Sequence, residues 1–163
     1  MLASPLNAAL GISAEDLDDG RVRLSMEVGP QWINEVGLVH GGLMALLIDG
    51  AAGRALARTL GPGESAGTVH LSIQFLRPAP AGALLAEARI VKRGRRIAFL
   101  EGECRGAEGD VIARATATFS VHSNRSGFMG LPGRAQPGRP MNPLLEKAAI
   151  SRETGARRSK PQG

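Results

Sequence analysis

The sequence predicts an α+β domain in which an antiparallel sheet of about five or six strands wraps a single long helix. An alternating strand pattern comes first, and an apolar stretch rich in Ala and Leu follows it. Further strand patterns then come without a second long helix. Because only one helix can cover a face of the sheet, that helix should be central and buried. The chain of 163 residues is long enough for one such domain.

The first predicted strand covers Arg21–Val28, where apolar and polar side chains alternate strictly. Such alternation is typical of a strand with one face on the core and one face in water. Gly29 and Pro30 end this strand, and residues 31–40 are expected to form a loop.

The predicted helix covers Gly41–Leu60 and ends at the pair Gly61 and Pro62. Its side chains are apolar on almost every side until Arg54 and Arg58. A helix of this kind should be buried on most of its surface.

Four further strands are predicted after the helix. Their ranges are Thr68–Leu76, Leu84–Lys92, Arg96–Arg105 and Val111–His122. A tight connection at residues 93–95 joins the second and third of these as a hairpin. In the first of them, alternation places Val69 and Phe75 on the apolar face and Thr68 on the polar face.

Charge divides the chain into two parts. Residues 1–123 hold 12 Lys/Arg and 13 Asp/Glu, a net charge of −1, whereas residues 124–163 hold 8 and 2, a net charge of +6. The second part also contains 5 of the 10 prolines. We therefore predict one domain at 1–123 and a basic, largely disordered tail at 124–163, with a helical turn or two near Leu144–Ser151. The tail is either a solubilising extension, which we favour, or an arm that contacts anionic polymers or membranes.

Composition also excludes several classes of protein. Cys104 is the only cysteine, so an intrachain disulfide is impossible, which suits a reducing compartment. Aromatic residues make up 3% of the chain, too few for stacking on nucleic acid bases. Residues 1–13 have no charged segment followed by a long apolar run, so no secretory signal is predicted, and no apolar stretch is long enough to cross a bilayer. We expect a cytoplasmic protein with neither nucleic acid nor membrane as a partner.

The start of the predicted helix has the features of a reaction site. Gly41 and Gly42 leave the first amides of the helix bare, at the positive end of its dipole. This is how an oxyanion hole is built, although a glycine pair also allows close helix packing. Asp49 lies two turns further on, and no cation stands three or four residues from it. A buried, unpaired carboxylate would cost several kcal/mol, so a function is favoured over a cap or an interface hydrogen bond.

Helix geometry separates these two groups. Gly41 and Asp49 are eight residues apart, which is roughly 12 Å along the helix axis. One carbonyl cannot lie about 3 Å from both of them. If both act on it, the carboxylate must come from a second copy of the helix, related by a two-fold axis. We therefore expect a homodimer or a homotetramer.

These residues also carry a family resemblance. The pattern Asn34-x-x-Gly37-x-x-His40-Gly-Gly-x6-Asp49 resembles that of the hotdog-fold acyl-CoA thioesterases, in the branch that contains the phenylacetyl-CoA thioesterases. The similarity extends from about Val22 to His122. It implies a hotdog fold and the hydrolysis of an acyl-CoA thioester to a carboxylic acid and free coenzyme A.

The resemblance implies a role for each residue of the pattern. The Gly41 amide would polarise the thioester carbonyl, and Asp49 of the opposite subunit would be the nucleophile or the general base. Asn34 would place the attacking group or hold the carbonyl. His40 would lie near the thiolate, and Thr68 would orient the carboxylate or its water. Taken alone, His40 could be a helix cap, Asn34 a turn residue and Thr68 an ordinary strand residue.

Substrate contacts are expected at six further positions. These are Gly42, Val69, Arg77, Arg93, Gly94 and Arg95. The arginines could hold the phosphates of coenzyme A, since guanidinium groups bind phosphate in a bidentate way. A solvated hairpin tip is an equally good interpretation of the cluster at 92–96.

No cofactor is expected, because coenzyme A is part of the substrate. The sequence contains no zinc-ligand spacing, no phosphate-binding loop and no Gly-x-Ser-x-Gly motif. The alternative function is a non-catalytic acyl-CoA-binding or sensor module of the same fold.

Overall fold

A computed structural model describes residues 4–123. The predicted tail at 124–163, with its expected disorder and its helical turns near Leu144–Ser151, lies outside the described residues. The described part of the chain contains two α-helices and six strands. Their bounds are α1 Pro5–Leu10, β1 Ser13–Asp16, β2 Val22–Val28, α2 Gly41–Ala57, β3 Glu64–Phe75, β4 Gly82–Arg93, β5 Ile97–Arg105 and β6 Val111–Ser123.

All six strands form one sheet with the order β1-β2-β4-β5-β6-β3, and every neighbouring pair is antiparallel. Helix α2 packs on one face of this sheet. The prediction of an α+β fold with one long helix and an antiparallel sheet of about six strands is therefore confirmed. It is the hotdog arrangement that the family resemblance implies.

The core lies between α2 and the sheet. In β2 the buried positions alternate as predicted, at Val22, Leu24, Met26 and Val28. The helix contributes eight buried residues: Leu43, Met44, Leu47, Ile48, Ala51, Ala52, Ala55 and Leu56.

Two glycines let the helix approach the sheet closely. A Cβ atom at Gly102 of β5 would lie 2.9 Å from Cγ2 of Ile48, and one at Gly50 of α2 would lie 2.8 Å from Cδ1 of Leu24. Real Cβ atoms do not come this close to other heavy atoms. These positions fix how deeply α2 sits on the sheet, and therefore where its first turn lies.

The helix is buried on most sides, as the sequence predicts, since only Gly42 of its 17 residues is exposed. Ala45, Leu46, Asp49 and Gly53 are partly exposed. Thr68 of β3 binds Asp49, and the Phe119 ring of β6 lies close to Gly53. The helix ends at Ala57 rather than Leu60.

Two elements at the start of the chain are absent from the sequence-based prediction. Helix α1 has Pro at its first position and ends at Gly11, which has a φ of 65°. Strand β1 pairs with β2 but is exposed along its whole length, so it has no hydrophobic alternation that could identify it. The predicted loop at residues 31–40 overlaps a 3-10 turn at Pro30–Trp32 and contains an isolated bridge between Ile33 and Val39, so this loop is partly ordered by hydrogen bonds.

A β-bulge in β3 changes which side chains face the helix. Thr68 pairs with Phe119 and His70 with Thr118, so Val69 is an extra residue between two ladder positions. Since Phe119 is a core residue, Thr68 faces the helix. The predictions that Thr68 lies on the polar face and Val69 on the apolar face are therefore wrong, and Val69 is 62% exposed. Simple alternation fails here because a bulge shifts its phase by one residue.

Strand β3 forms one edge of the sheet. It is 12 residues long, and β6 is its only neighbour in the described chain. The other edge, β1, has four residues. No helix of the described residues is long and apolar enough to span a membrane.

Candidate active site

The loop before α2 is organised by one side chain. Oδ1 of Asn34 accepts hydrogen bonds from the amides of Val36, at 3.1 Å, and Leu38, at 3.0 Å. Gly37 follows with a φ of 80°, a backbone conformation that favours glycine. Asn34 is therefore a turn residue, as one interpretation of the sequence has it. Its Nδ2 group has no partner within residues 4–123 and remains a free donor beside the helix start.

His40 caps the helix. Its Nδ1 atom accepts a hydrogen bond of 3.1 Å from the amide of Gly42. Because Nδ1 is an acceptor, the neutral ring carries its hydrogen on Nε2. The amide of Gly42 is thus engaged within the protein, and a substrate contact at Gly42 is left to its bare Cα. The capping interpretation of His40 is correct, and it leaves Nε2 available as a donor.

The amide of Gly41 has no hydrogen-bond partner among residues 4–123. It is one of the unsatisfied N–H groups that every helix presents at its N-terminus. The helix dipole adds a positive partial charge at the same place. Gly41 therefore supplies a free donor suited to an oxygen that carries negative charge.

Phe75, the last residue of β3, stands over Gly41. A Cβ atom at Gly41 would lie 2.9 Å from Cε1 and Cζ of the Phe75 ring. The ring itself is 55% exposed. The absence of a side chain at residue 41 thus serves two purposes, since it leaves the amide accessible and makes room for Phe75.

A cleft of about 460 Å³ opens at this end of the sheet. Most of its ten lining residues are apolar, and one is charged. They are Asn34, Leu38, Val39, Gly41, Met44, Phe75, Leu76, Arg77, Pro78 and Ala79. The structure therefore brings together three residues of the predicted site, Asn34, Gly41 and Arg77.

Asp49 and Thr68 form the second part of the predicted site. Oγ1 of Thr68 donates a 2.9 Å hydrogen bond to Oδ1 of Asp49. Asp49 is partly exposed and Thr68 is exposed, and neither lines the cleft. Eight residues of helix, roughly 12 Å along its axis, separate Asp49 from Gly41. Within one chain, the predicted residues therefore form two separate groups: Asn34, Gly41 and Arg77 at the cleft, and Asp49 with Thr68 further along the helix.

The basic hairpin between β4 and β5 lies at the far end of the sheet from the cleft. Arg93 is half-buried, and its Nη2 atom is 3.0 Å from the Glu64 carboxylate at the start of β3. A second Arg93 nitrogen donates to the carbonyl of Gly94. This guanidinium is therefore engaged within the chain and is less free for a phosphate than the sequence suggests.

The other cations of the hairpin are exposed. Lys92, Arg95 and Arg96 make no ion pair within the described residues. Arg77, at the cleft, makes a 2.7 Å ion pair with Asp110 in which both side chains are more than half exposed. Exposed pairs of this kind contribute about 0–1 kcal/mol, so Arg77 can exchange this partner for an anionic ligand at little cost.

Other charged side chains form ion pairs away from the cleft. Arg54 near the end of α2 binds Asp16 of β1 and lowers the pKa of that carboxyl. On the sheet face away from α2, a depression of about 530 Å³ is lined by mutually paired groups such as Arg89 with Glu101.

Burial raises the pKa of the Cys104 thiol to about 12, which suits a core residue. The described residues contain no group of three His, Cys, Asp or Glu side chains placed to hold a metal ion.

Sequence reasoning did not identify Phe75 as part of the site. One sequence feature points to it: Phe75 lies at the end of a predicted strand, next to Arg77, a predicted site residue. In the structure, residues 76–79 line the cleft. A large apolar side chain in a strand is normally assigned to the core, and only its 55% exposure shows otherwise.

The chain is similar in sequence to known thioesterases. The family model described as "Thioesterase superfamily" matches residues 36–113. The chain is 33% identical to acyl-coenzyme A thioesterase 13 of Pongo abelii over 103 residues, which are 61% of this chain and 71% of that protein.

Two solved structures share the fold. The chain is 33% identical to the BH2602 protein of Bacillus halodurans, crystallised with CoA; the match covers 76% of this chain and 82% of that one, with a TM-score of 0.69. It is 32% identical to a phenylacetic acid degradation-related protein of Ralstonia eutropha JMP134; the match covers 73% and 92%, with a TM-score of 0.67.

Proposed function

This chain belongs to the thioesterase superfamily, and from that premise we propose that it hydrolyses acyl-CoA thioesters to a carboxylic acid and free coenzyme A. Two of the similar proteins support the choice of acyl-CoA, since one is named an acyl-coenzyme A thioesterase and another was crystallised with CoA. The observation that carries the proposal is the free Gly41 amide at the start of α2. On the same helix, roughly 12 Å along its axis, the hydroxyl of Thr68 holds the carboxylate of Asp49.

The Gly41 amide polarises the thioester carbonyl. As the carbonyl carbon becomes tetrahedral, its oxygen gains negative charge, and a fixed donor at the positive end of α2 stabilises that charge. The free Nδ2 group of Asn34 is a second donor at the same end of the cleft.

Asp49 acts on the carbonyl carbon by one of two routes. As general base it takes a proton from water while the water oxygen attacks; the C–S bond then breaks, and the thiolate leaves and is protonated. As nucleophile its oxygen attacks directly and expels the thiolate, and water then hydrolyses the mixed anhydride to release the acid. Thr68 fixes the carboxylate for either route through its 2.9 Å hydrogen bond. His40 donates its Nε2–H to the departing thiolate.

Both routes require a second copy of the chain. The Asp49 that attacks must come from the partner, because the Asp49 of the same helix is roughly 12 Å from Gly41. Strand β3 offers the surface for this assembly: it is a 12-residue edge strand, and between Glu64 and its end it carries neither Lys, Arg nor Pro. Natural proteins protect long edge strands with charges, proline or bulges, and residues 70–75 of β3, beyond the Val69 bulge, carry none of these. Antiparallel pairing of two β3 strands gives an isologous dimer with two equivalent sites.

The contacts within one chain predict where the two-fold axis of such a dimer would pass. Asp49 is level with Thr68 along β3, and Gly41 is level with Phe75. Placing the partner's Asp49 at Gly41 therefore places the partner's Thr68 beside Phe75. The midpoint between Thr68 and Phe75 is at Leu71–Ser72, so the axis passes there.

The same arrangement explains the basic hairpin. Within one chain the hairpin lies far from the cleft, next to Glu64. In the dimer, the partner's Glu64 lies opposite residues 78–79, beside this chain's cleft. The partner's Arg95 and Arg96 then reach the phosphates of a coenzyme A bound here, and Arg77 approaches from this chain.

The test is release of free thiol from a panel of acyl-CoA substrates by wild type and by Asp49→Asn. We expect kcat to fall by about 10²–10⁴-fold in the variant, with CoA binding and dimer mass unchanged. Asp16→Asn is the matched control, because Asp16 pairs with Arg54 away from the site and its loss should leave turnover intact. Binding of acyl-CoA by wild type without thiol release would instead identify a sensor module, and full turnover by Asp49→Asn would exclude the assigned role.

A further inference from the structure

The ion pair between Arg93 and Glu64 joins strands that are not neighbours in the sheet. Arg93 ends β4 and Glu64 begins β3, and strands β5 and β6 lie between them. Since neighbouring strands are about 4.8 Å apart, three spacings in a flat sheet would separate the two backbones by roughly 14 Å. Arg93 pairs with the buried Ala98, so its side chain starts on the helix side of the sheet. The 3.0 Å contact therefore spans the inner side of a curved sheet and holds the β4–β5 hairpin to the edge strand.

Backbone hydrogen bonds fix both ends of this ion pair. Oε2 of Glu64 accepts a 2.9 Å hydrogen bond from the amide of Gly61, and the Glu64 amide donates to the Gly61 carbonyl at 3.0 Å. Arg93 also donates to the carbonyl of Gly94. The amide of Gly94 in turn donates to the carbonyl of Ile97 at 2.9 Å and closes the hairpin. One guanidinium thus connects the hairpin turn to the turn that follows α2.

Arg93 is poorly placed to bind a phosphate directly. Among the arginines that form ion pairs within residues 4–123, its side chain is the least exposed, at 23%. Its Nη1 and Nη2 atoms are engaged, and its Nε atom is buried with no hydrogen-bond partner in this part of the chain. A phosphate would have to displace Glu64. The neighbouring Arg95 and Arg96 are exposed instead.

We propose that Arg93 and Glu64 are positioning residues for the substrate. Their ion pair fixes the direction of the hairpin, so that Arg95 and Arg96 are held ready for the phosphates of coenzyme A. The inference rests on the proposed function, which brings the hairpin of one chain to the cleft of its partner. Cations that are held in place beforehand lose less conformational freedom when the ligand binds. The ion pair therefore supports affinity for the phosphate-bearing end of the substrate and not the chemistry at the thioester.

The test compares Glu64→Gln and Arg93→Ala with wild type on an acyl-CoA and on the matching acyl-pantetheine, which has the same thioester but no phosphate. Glu64→Gln keeps an acceptor for the Gly61 amide and removes the charge that binds Arg93. We expect both variants to raise KM for acyl-CoA by about three- to tenfold with kcat changed less than about twofold, and to leave acyl-pantetheine turnover unchanged. In an Arg95→Ala/Arg96→Ala background, Glu64→Gln should have no further effect, because the cations that it positions are gone.

Glu101→Gln is the matched control. It makes the same substitution in another ion pair between β4 and β5, in which Nε of Arg89 is 2.7 Å from the Glu101 carboxylate. This pair does not touch the hairpin turn, so KM for acyl-CoA should stay at the wild-type value. Calorimetry with free CoA repeats the comparison without turnover, and Glu64→Gln should weaken CoA binding by the same factor as it raises KM.

Three results would overturn the inference. A lower KM for acyl-CoA in Glu64→Gln, with a higher one in Arg93→Ala, would show that Arg93 binds the phosphate itself. Equal losses on acyl-CoA and acyl-pantetheine would make the ion pair a support of the fold alone. Unchanged KM and CoA affinity in both variants would mean that the hairpin keeps its direction without the pair. A wild-type protein that binds CoA but releases no thiol would contradict the proposed function alone, because the CoA affinities would still test the ion pair.

Discussion

The hydroxyl of Thr68 donates a 2.9 Å hydrogen bond to the carboxylate of Asp49, and so joins the middle of edge strand β3 to the middle of helix α2. This contact depends on the Val69 bulge, which leaves Thr68 facing the helix. It fixes one oxygen of the carboxylate and leaves the other free to act. Because both residues are at least partly exposed, the pair faces outward from the chain that carries it.

Removing the Thr68 hydroxyl should impair catalysis without unfolding the protein. Thr68→Val keeps the shape of the side chain but loses the donor that orients the Asp49 carboxylate. We expect kcat to fall by roughly ten- to a hundredfold, with little change in melting temperature because Thr68 is exposed. Thr68→Ser restores the hydroxyl and should recover most of the activity. Equal loss in the Val and Ser variants would show that the hydroxyl is not what matters.

A methyl group at residue 41 should act through Phe75. In Gly41→Ala the new Cβ would lie 2.9 Å from the Phe75 ring, which must then move away from the helix start. We expect a large loss of kcat/KM with the fold retained, since the half-exposed ring is free to turn outward. The double variant Gly41→Ala/Phe75→Ala measures the coupling: with the ring gone, the extra methyl group should cost less than it does in wild type. Strictly additive losses would contradict this mechanism.

The general architecture could be predicted from the sequence because its signals are local. Alternation identifies β2 and the strands after the helix, and the Ala- and Leu-rich segment identifies α2. The short β1 could not be found in this way, because its exposed side chains show no periodicity. Val69 misleads the same analysis, since one inserted residue reverses the apparent face of Thr68.

The residues of the candidate site could be named from the sequence, but their contacts could not. The glycine and the acid follow from the helical pattern, and their spacing puts the Gly41 amide and the Asp49 carboxylate roughly 12 Å apart along one helix. Arg93 forms an ion pair with Glu64, which is 29 positions away in the sequence, so no local pattern predicts this pair. The position of Phe75 over Gly41 likewise depends on how the end of β3 meets the start of α2.

The exposed hairpin arginines should contribute to substrate binding through charge. The double variant Arg95→Ala/Arg96→Ala removes two cations that have no ion pair in the described chain. We expect KM for acyl-CoA to rise by about tenfold at low salt, and the difference from wild type to shrink as salt screens the phosphate contacts. Arg89→Ala is the control, because Arg89 is bound to Glu101 on the outer sheet face. A rise in KM that does not depend on salt would argue against phosphate contacts.

Cross-linking at Ser72 tests the position of the two-fold axis. The axis is expected beside Leu71–Ser72, so in Ser72→Cys the two new thiols of a dimer should lie within the Cα separation of about 4.4–6.8 Å that a disulfide needs. Mild oxidation should give a covalent dimer. Cys104 should not interfere, because it is buried and its raised pKa, about 12, keeps the thiol protonated at the working pH.

Ser65→Cys is the matched control for this cross-link. Residue 65 lies seven positions from residue 72, roughly 23 Å along the strand, so its two copies would be far apart across the axis. We expect no covalent dimer from it under the same oxidation. Efficient cross-linking at residue 65 and none at residue 72 would mean a different register of the two β3 strands. The partner's Asp49 would then not reach Gly41, and the proposed two-chain site would be wrong.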